Sequence, residues 1–323
     1  MRVNHVIISG RRVLHGMNRF TVLTLALITA CPAFPWGCKG HETIAVIALA
    51  RLTPHAHSMA ASLLEGAEPV PRRFCEPTGL DHFADLSTWA DDIRQHRKDT
   101  AGWHFIDIPL GAARGHMSDA CGSSGDCVTA AIRRQIDVLR SRSAGRPEQP
   151  EALLFVIHLI GDLHQPLHAA TNDDRGGNCL PVQFFHRHPE PNRYHPNLHS
   201  AWDIDLVDRI ARRRGPAEFA DALRSEFAAE MDRWMKQSVN LDDWGWESHE
   251  LAVHTAYGDL PKQVPVLTPR PIESCSDDDI GPRMYQLHEA IDWNYLQAVS
   301  PVVRRQLARA GTRLAVVLNQ IWP

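Results

Sequence analysis

Apolar residues recur at three- and four-residue intervals in four stretches: Ile44, Val46, Ile47 and Leu52; Val128, Ile132, Ile136 and Leu139; Leu198, Trp202, Leu206 and Ile210; and Val302, Val303, Leu307, Leu314, Val317 and Ile321. That spacing lays an apolar stripe along one face of a helix. Pro54, Pro150, Pro216 and Pro301 stand where a first turn tolerates proline, because its N–H groups have no partner inside the helix. Strict alternation is scarce, and only 104–110 and 180–185 read as extended. The pattern predicts an all-α domain with long ordered loops. Residues 152–163 are apolar on almost every face, interrupted only by His158, Gly161 and Asp162. They read as a central buried helix whose polar residues need partners. There is no internal repeat, long linker or low-complexity run, and the Pro- and His-rich 186–196 reads as an inserted loop.

The uninterrupted apolar run 21–30, with Arg19 before it and Cys31-Pro-Ala-Phe-Pro35 after it, has the layout of a secretory leader and is too short to span a bilayer. Met17 is the better start, so 1–16 are read as untranslated, 17–35 as signal, and 36–323 as one exported domain, periplasmic or extracellular. Cleavage before Cys31, as in a lipoprotein, is the competing route. Removing 1–35 leaves six cysteines, an even number that suits an oxidising compartment. Cys121 and Cys127 bracket Gly-Ser-Ser-Gly-Asp, a turn that predicts one local bridge; fifteen pairings stay open for the set. Beyond residue 35 the chain carries 30 basic against 38 acidic residues, a net charge of −8. That balance argues against a protein that binds nucleic acid mainly through a basic surface. Bound cations would reverse the sign locally, and 19 His against 4 Tyr turn attention to metal chemistry.

His158 and Asp162 lie one helical turn apart on the most buried segment, within HLIGDLHQPLH, and His168 follows beyond Pro166. A buried carboxylate needs a cation or strong hydrogen bonds. His199 and Asp203 repeat the spacing inside NLHSAWD, while Asp91 in STWADD and His104 in WHFID add a carboxylate and an imidazole. Trp36-Gly-Cys-Lys-Gly-His41 stands where the leader ends. A single such His/Asp pair is ordinarily a hydrogen-bonded core pair; two in one chain, with further candidates, favour metal. His164, on another helical face, reads as structural or solvent-facing, and Gly176-Gly177 as a tight turn. His186, His188 and His195 lack the preorganisation of a metal site. There is no G-x-S-x-G, HExxH or phosphate-binding glycine loop.

These motifs resemble the zinc-dependent single-strand-specific nucleases, which include fungal extracellular, plant bifunctional and bacterial secreted members and share a mainly helical fold with zinc phospholipase C. The resemblance runs over nearly all of 36–323: WGCKGH, STWADDIR, WHFID, CGSSGDC, HLIGDLHQPLH, DRGGN, NLHSAWD and the looser WGWESHELA and AYGDLP. It implies three zinc ions: one on Asp91, His104, His158 and Asp162; a second on His168, His199 and Asp203; a third on Trp36, His41 and a shared Asp162. Trp36 would bind through its free amino group and carbonyl. Asp91 and Asp162 then belong to the catalytic centre, and zincs sharing a carboxylate make water nucleophilic near neutral pH. Arg94, one turn after Asp91, is placed to donate to a phosphate; otherwise it is a surface salt bridge. Phe105 and Asp107 correspond to a base pocket, the ring stacking and the carboxylate accepting amino hydrogens; core packing is the plainer reading of Phe105.

The implied activity is hydrolysis of single-stranded DNA and RNA to 5′-phosphate ends, with 3′-nucleotides as further substrates, by a monomer without a stable protein partner. A zinc phospholipase C is the first alternative, though Asp203 stands where that family is expected to carry glutamate. A non-catalytic zinc-binding exoprotein is the second. The stretch FHRHPEPNRYHP departs from the family pattern, and it is expected to reshape a wall of the cleft.

Overall fold

The computed structural model describes residues 36–65, 67, 74–79, 81–94, 96–122, 125–141, 147–189, 195–267, 275 and 289–323. The leader, 1–35, lies outside them, as does the middle of the 186–196 loop. Within this set the chain is overwhelmingly helical: α1 (Gly37–Leu49), α2 (Pro54–Glu65), the short α3 (His82–Asp85) and α4 (Trp89–Arg94), α5 (Val128–Arg140), α6 (Glu148–Leu163), α7 (Leu198–Ser200), α8 (Leu206–Ala211), α9 (Pro216–Glu226), α10 (Ala228–Trp234), α11 (Leu241–Leu251) and α12 (Trp293–Ile321). The only described sheet is a parallel pair, β1 (Val182–Phe184) and β2 (Glu289–Ile291), with Gln183 opposite Ala290. No described helix is long and apolar enough to cross a membrane.

The expected central helix is α6. Every residue from Ala152 to Leu163 is buried, because α5 packs along one side of it and α1, α2, α4 and α12 cover the others. The amphipathic stripes behave as the pattern requires: Val128, Ile132, Ile136 and Leu139 turn inward, as do Val303, Leu307, Leu314 and Val317. Pro54 and Pro216 open α2 and α9. Pro301 does not open a helix, contrary to expectation: α12 starts eight residues earlier, where the Asp292 carboxylate accepts from the N–H of Asn294 and Tyr295. Proline is tolerated there because the helix is held by its buried face, and Gln297, whose carbonyl loses its N–H partner, is exposed to water. The extended segment begins at Phe105, one residue after His104 closes a 3-10 turn over Lys98–His104.

Three disulfides fasten the loops: Cys38–Cys75, Cys121–Cys127 and Cys179–Cys275. The second is the local bridge expected from sequence. α1 meets α12 at Gly311, where an added Cβ would lie 2.6 Å from Ile47 Cβ and 2.7 Å from the Ile44 carbonyl oxygen. That contact brings the start of α1, with Trp36 and His41, against the body. Gly311→Ala is therefore expected to destabilise the protein by about 1–3 kcal/mol despite alanine's better helix propensity; equilibrium denaturant unfolding against wild type measures it, and an unchanged or higher midpoint would refute the close packing.

Candidate metal centre

Two helical pairs, Asp91 and two residues of 3-10 turns form most of the site, and His41 joins them from α1. His158 and Asp162 project from one face of α6, and His199 and Asp203 from one face of the helix α7–α8, whose middle five residues, Ala201–Asp205, form a π turn. Asp91 comes from α4, His104 from the end of its 3-10 turn, and His168 from the 3-10 turn Pro166–Ala169 that follows α6. All seven side chains are buried. The segment after His104 runs beside the one after His168: Ile106 N–H donates to the His168 carbonyl at 2.8 Å, and Thr171 N–H to the Ile108 carbonyl at 2.9 Å.

Three groups of donor atoms converge: Asp91, His104 and His158; His168, His199 and Asp203; and His41, His158 and Asp162. Around the first, His104 Nδ1 is 2.9 Å from Asp162 Oδ2, 3.2 Å from His158 Nε2 and 3.6 Å from Asp91 Oδ1; His158 Nε2 is 3.2 Å from Asp162 Oδ2 and 3.6 Å from Asp91 Oδ1. A tetrahedron about a cation with bonds of about 2.0–2.1 Å has edges of about 3.3 Å. These four donors therefore fit one divalent ion. In the second group His199 Nε2 is 3.3 Å from Asp203 Oδ2, His168 Nε2 is 3.9 Å from Asp203 Oδ1, and the two rings stack at 4.9 Å. In the third, His41 Nε2 is 3.3 Å from Asp162 Oδ1, and the His41 ring stacks on His158 at 4.0 Å. Asp162 thus turns one oxygen to each of two groups.

The outer nitrogens explain the orientation. His158 Nδ1 donates to the Ser87 carbonyl at 2.9 Å, His168 Nδ1 to the His104 carbonyl at 2.7 Å, and His199 Nδ1 to the Gly176 carbonyl at 2.6 Å. Each leaves Nε2 for a proton or a cation. Asp91 Oδ1, His168 Nε2 and Asp203 Oδ2 are buried without a hydrogen bond, which native interiors rarely leave so unless a metal or water is involved. Burial pushes the Asp203 carboxyl well up and Asp91 up to about 7. Burial likewise pushes His104 and His199 down to about 4. His158 goes the other way, to about 9: burial opposes its charge, but Asp162 and Asp91 beside it prevail. A cation in the cluster would take the place of that proton.

Sequence reasoning did not single out the supports. Gln165 Nε2 donates to Asp203 Oδ1 at 2.6 Å while its Oε1 accepts from Leu167 N–H at 2.6 Å, so one amide links the turn carrying His168 to the second group. Of the two readings of His164, the structural one holds: it is buried, its Nδ1 donates to the Ile160 carbonyl, and Arg313 donates to its Nε2 at 3.0 Å. Gln306 and Ser248 take the His164 and Leu163 carbonyls, which completes the C-terminus of α6. The one sequence signal was the set of polar residues Gln306, Thr312 and Arg313 on the buried stripe of α12. Gly176-Gly177 is a tight turn, as expected, with both residues at positive φ, and it also supplies the carbonyl that orients His199.

The remaining sequence candidates range from fully buried Trp36 to exposed histidines. The Trp36 backbone nitrogen is 3.3 Å from Asp203 Oδ1, and its indole N–H donates to the Gly161 carbonyl at 2.9 Å. An added Cβ at Gly161 would come within 2.9 Å of the His41 ring. Arg94 is half-buried, makes no ion pair among the described residues, and acts electrostatically on Asp91, His104 and His199. Phe105 is half-buried and, unlike Trp103 and Ile106, is not part of the apolar cluster. Asp107 reaches solvent, yet surrounding protein and the Asp174 carboxylate push it up to about 6. His186, His188 and His195 are exposed and join none of the three groups.

The family model described as S1/P1 Nuclease matches residues 36–323. Among curated proteins, the chain is 31% identical to Nuclease S1 of Aspergillus oryzae over 93% of this chain and 94% of that protein. It is 27% identical to Endonuclease 2 of Arabidopsis thaliana over 93% and 96%, and 27% identical to Nuclease P1 of Penicillium citrinum over 88% and 97%. The matched region begins at Trp36 and takes in every residue of the three His/Asp groups. Buried donors arranged for cations and similarity along nearly the full chain lead to one assignment: the chain belongs to the S1/P1 nuclease family, a family of metal-dependent enzymes.

Proposed function

We propose that this nuclease is exported and holds three zinc ions, with which it hydrolyses single-stranded DNA and RNA to 5′-phosphate ends and also takes 3′-nucleotides, as a monomer of residues 36–323. The observation that carries the reading is the division of Asp162, whose Oδ2 faces His104 and His158 while Oδ1 faces His41. This supports Asp91, His104, His158 and Asp162 as ligands of one ion, His168, His199 and Asp203 of a second, and His41, Asp162 and Trp36 of a third. Imidazole and carboxylate donors at tetrahedral spacing suit zinc. When bound, such ions supply a nucleophilic water near neutral pH and offset the charge of a phosphate.

The chain's own residues supply the rest. Arg94, without a carboxylate partner among the described residues, donates to a phosphate oxygen as negative charge builds. Phe105, outside the apolar cluster, offers a face to a base, and Asp107 accepts its amino hydrogens. Stacking on Phe105 needs an unpaired base, which favours single strands although the body is acidic. The three disulfides support export. The start of the family match at Trp36 supports leader removal there, and removal would free the amino group.

Metal analysis and cleavage assays test this together. Three zinc ions per chain, rapid cleavage of single over double strands, no release from phosphatidylcholine, and loss of activity on chelation are expected; one ion or none in active enzyme would sink the trinuclear reading. Gln165→Ala should weaken metal affinity or activity on the order of 10–100-fold, because Asp203 loses the group that aims it; wild-type zinc retention and rate would remove Gln165 from the site. Protein beginning at Trp36 should hold one more zinc equivalent than protein retaining Pro35, and equal metal content would exclude the amino group as a ligand.

A further inference from the structure

The two strands end together on the surface. β1 runs into Phe185 and β2 into Asp292 and Trp293, and the Phe185 N–H donates to the Ile291 carbonyl at 2.9 Å. The Phe185 and Trp293 rings consequently meet edge to face, with centroids 5.1 Å apart. Trp293 is 59% exposed, the largest side chain among the exposed apolar residues described. Arg209, on α8, lays its guanidinium 3.5 Å from the Phe185 ring centre and 5.1 Å from that of Trp293. Nearby carboxylates are already engaged: Asp205 pairs with Arg187, and Asp292 caps α12. Arg209 has no carboxylate partner among the described residues, and Arg212, Arg213 and Arg214 follow it, all exposed.

We infer that Trp293, Phe185 and Arg209 form an accessory binding site for single-stranded nucleic acid, apart from the metal centre. An exposed indole offers a stacking face to an unpaired base, and a guanidinium held against aromatic rings, with no carboxylate partner among the described residues, offers its donor edge to a backbone phosphate. Charge selects this occupant: on a body of net −8 outside 1–35, a guanidinium that has no carboxylate partner among the described residues and lies against exposed aromatic rings suits a polyanion. Position supports it too. Arg209 and Asp203 stand six residues apart on one continuous helical run, so the element that carries a metal-centre carboxylate also carries the patch's guanidinium. The inference rests on the nuclease reading of the metal centre: a long strand cleaved there has further nucleotides to offer the patch, whereas a dinucleotide held at the centre has none.

The test uses zinc-loaded enzyme, wild type and Trp293→Ala, Trp293→Phe and Arg209→Gln. Kinetics are measured on a long oligothymidylate and on the thymidine dinucleotide; binding is measured by anisotropy with a phosphorothioate-linked oligothymidylate, which slows cleavage. Trp293→Ala should raise KM and Kd for the long strand about five- to tenfold, leave kcat and the dinucleotide unchanged, and be largely rescued by Trp293→Phe. Arg209→Gln should flatten the salt dependence of long-strand binding. Unchanged long-strand KM and Kd in Trp293→Ala, or equal losses on both substrates, would overturn the accessory site. Long-strand binding that depends on Trp293 without cleavage of either substrate would instead uphold the site and remove the nuclease reading.

Discussion

Burying carboxylates inside an apolar helix bundle is the constraint around which this molecule is arranged. Asp162 sits at zero exposure on a helix that is apolar apart from His158 and Gly161 over its buried length, Asp203 is equally buried and Asp91 nearly so. An ionised carboxylate in such surroundings is costly unless a cation or several hydrogen bonds face it. Five imidazoles, from His41, His104, His158, His168 and His199, close around the three acids, yet several donor atoms still lack a hydrogen bond. The surplus of lone pairs at the centre is what bound cations would satisfy, and metal binding would then be coupled to folding.

Precision comes from backbone carbonyls rather than from the donors themselves. Ser87, His104 and Gly176 each offer a carbonyl to the outer nitrogen of a histidine, and each lies in a loop or turn. Those loops are held by the parallel run of the segments after His104 and His168, and by disulfides near Cys38, Cys121 and Cys179. The C-terminus of α6 is anchored from α11 and α12 through Ser248, Gln306 and Arg313. A site spread over so many elements is rigid only if the turns joining them are rigid, which accounts for buried polar residues where periodicity alone would place apolar ones.

Glycine acts here by leaving room. Gly161 lets the His41 ring lie against α6, and Gly311 lets α1 lie against α12. Both contacts concern the amino-terminal helix, whose first residues reach the metal centre. The close approach of α1 is therefore a condition for His41 and Trp36 to meet residues more than a hundred positions away.

Much was decided locally and is visible in the sequence. The stripes of α5 and α12, the uniformly apolar α6 and the i, i+4 pairs His158/Asp162 and His199/Asp203 depend only on helical periodicity, which fixes which side chains share a face. The Cys121–Cys127 bridge likewise follows from a short turn. Other features depend on what packs against them. α12 runs through Pro301 because its buried face holds it, and His104 ends a 3-10 turn rather than joining a strand. His164 is buried because Arg313 reaches it from the far end of the chain. Gln165 looks like any polar residue in HQPLH until the fold brings Asp203 to its amide. Sequence determined the donors and their local spacing, since these are properties of one turn of helix; the tertiary structure decided which donors meet and how each is aimed, since distant backbone carbonyls and close helix contacts set those distances.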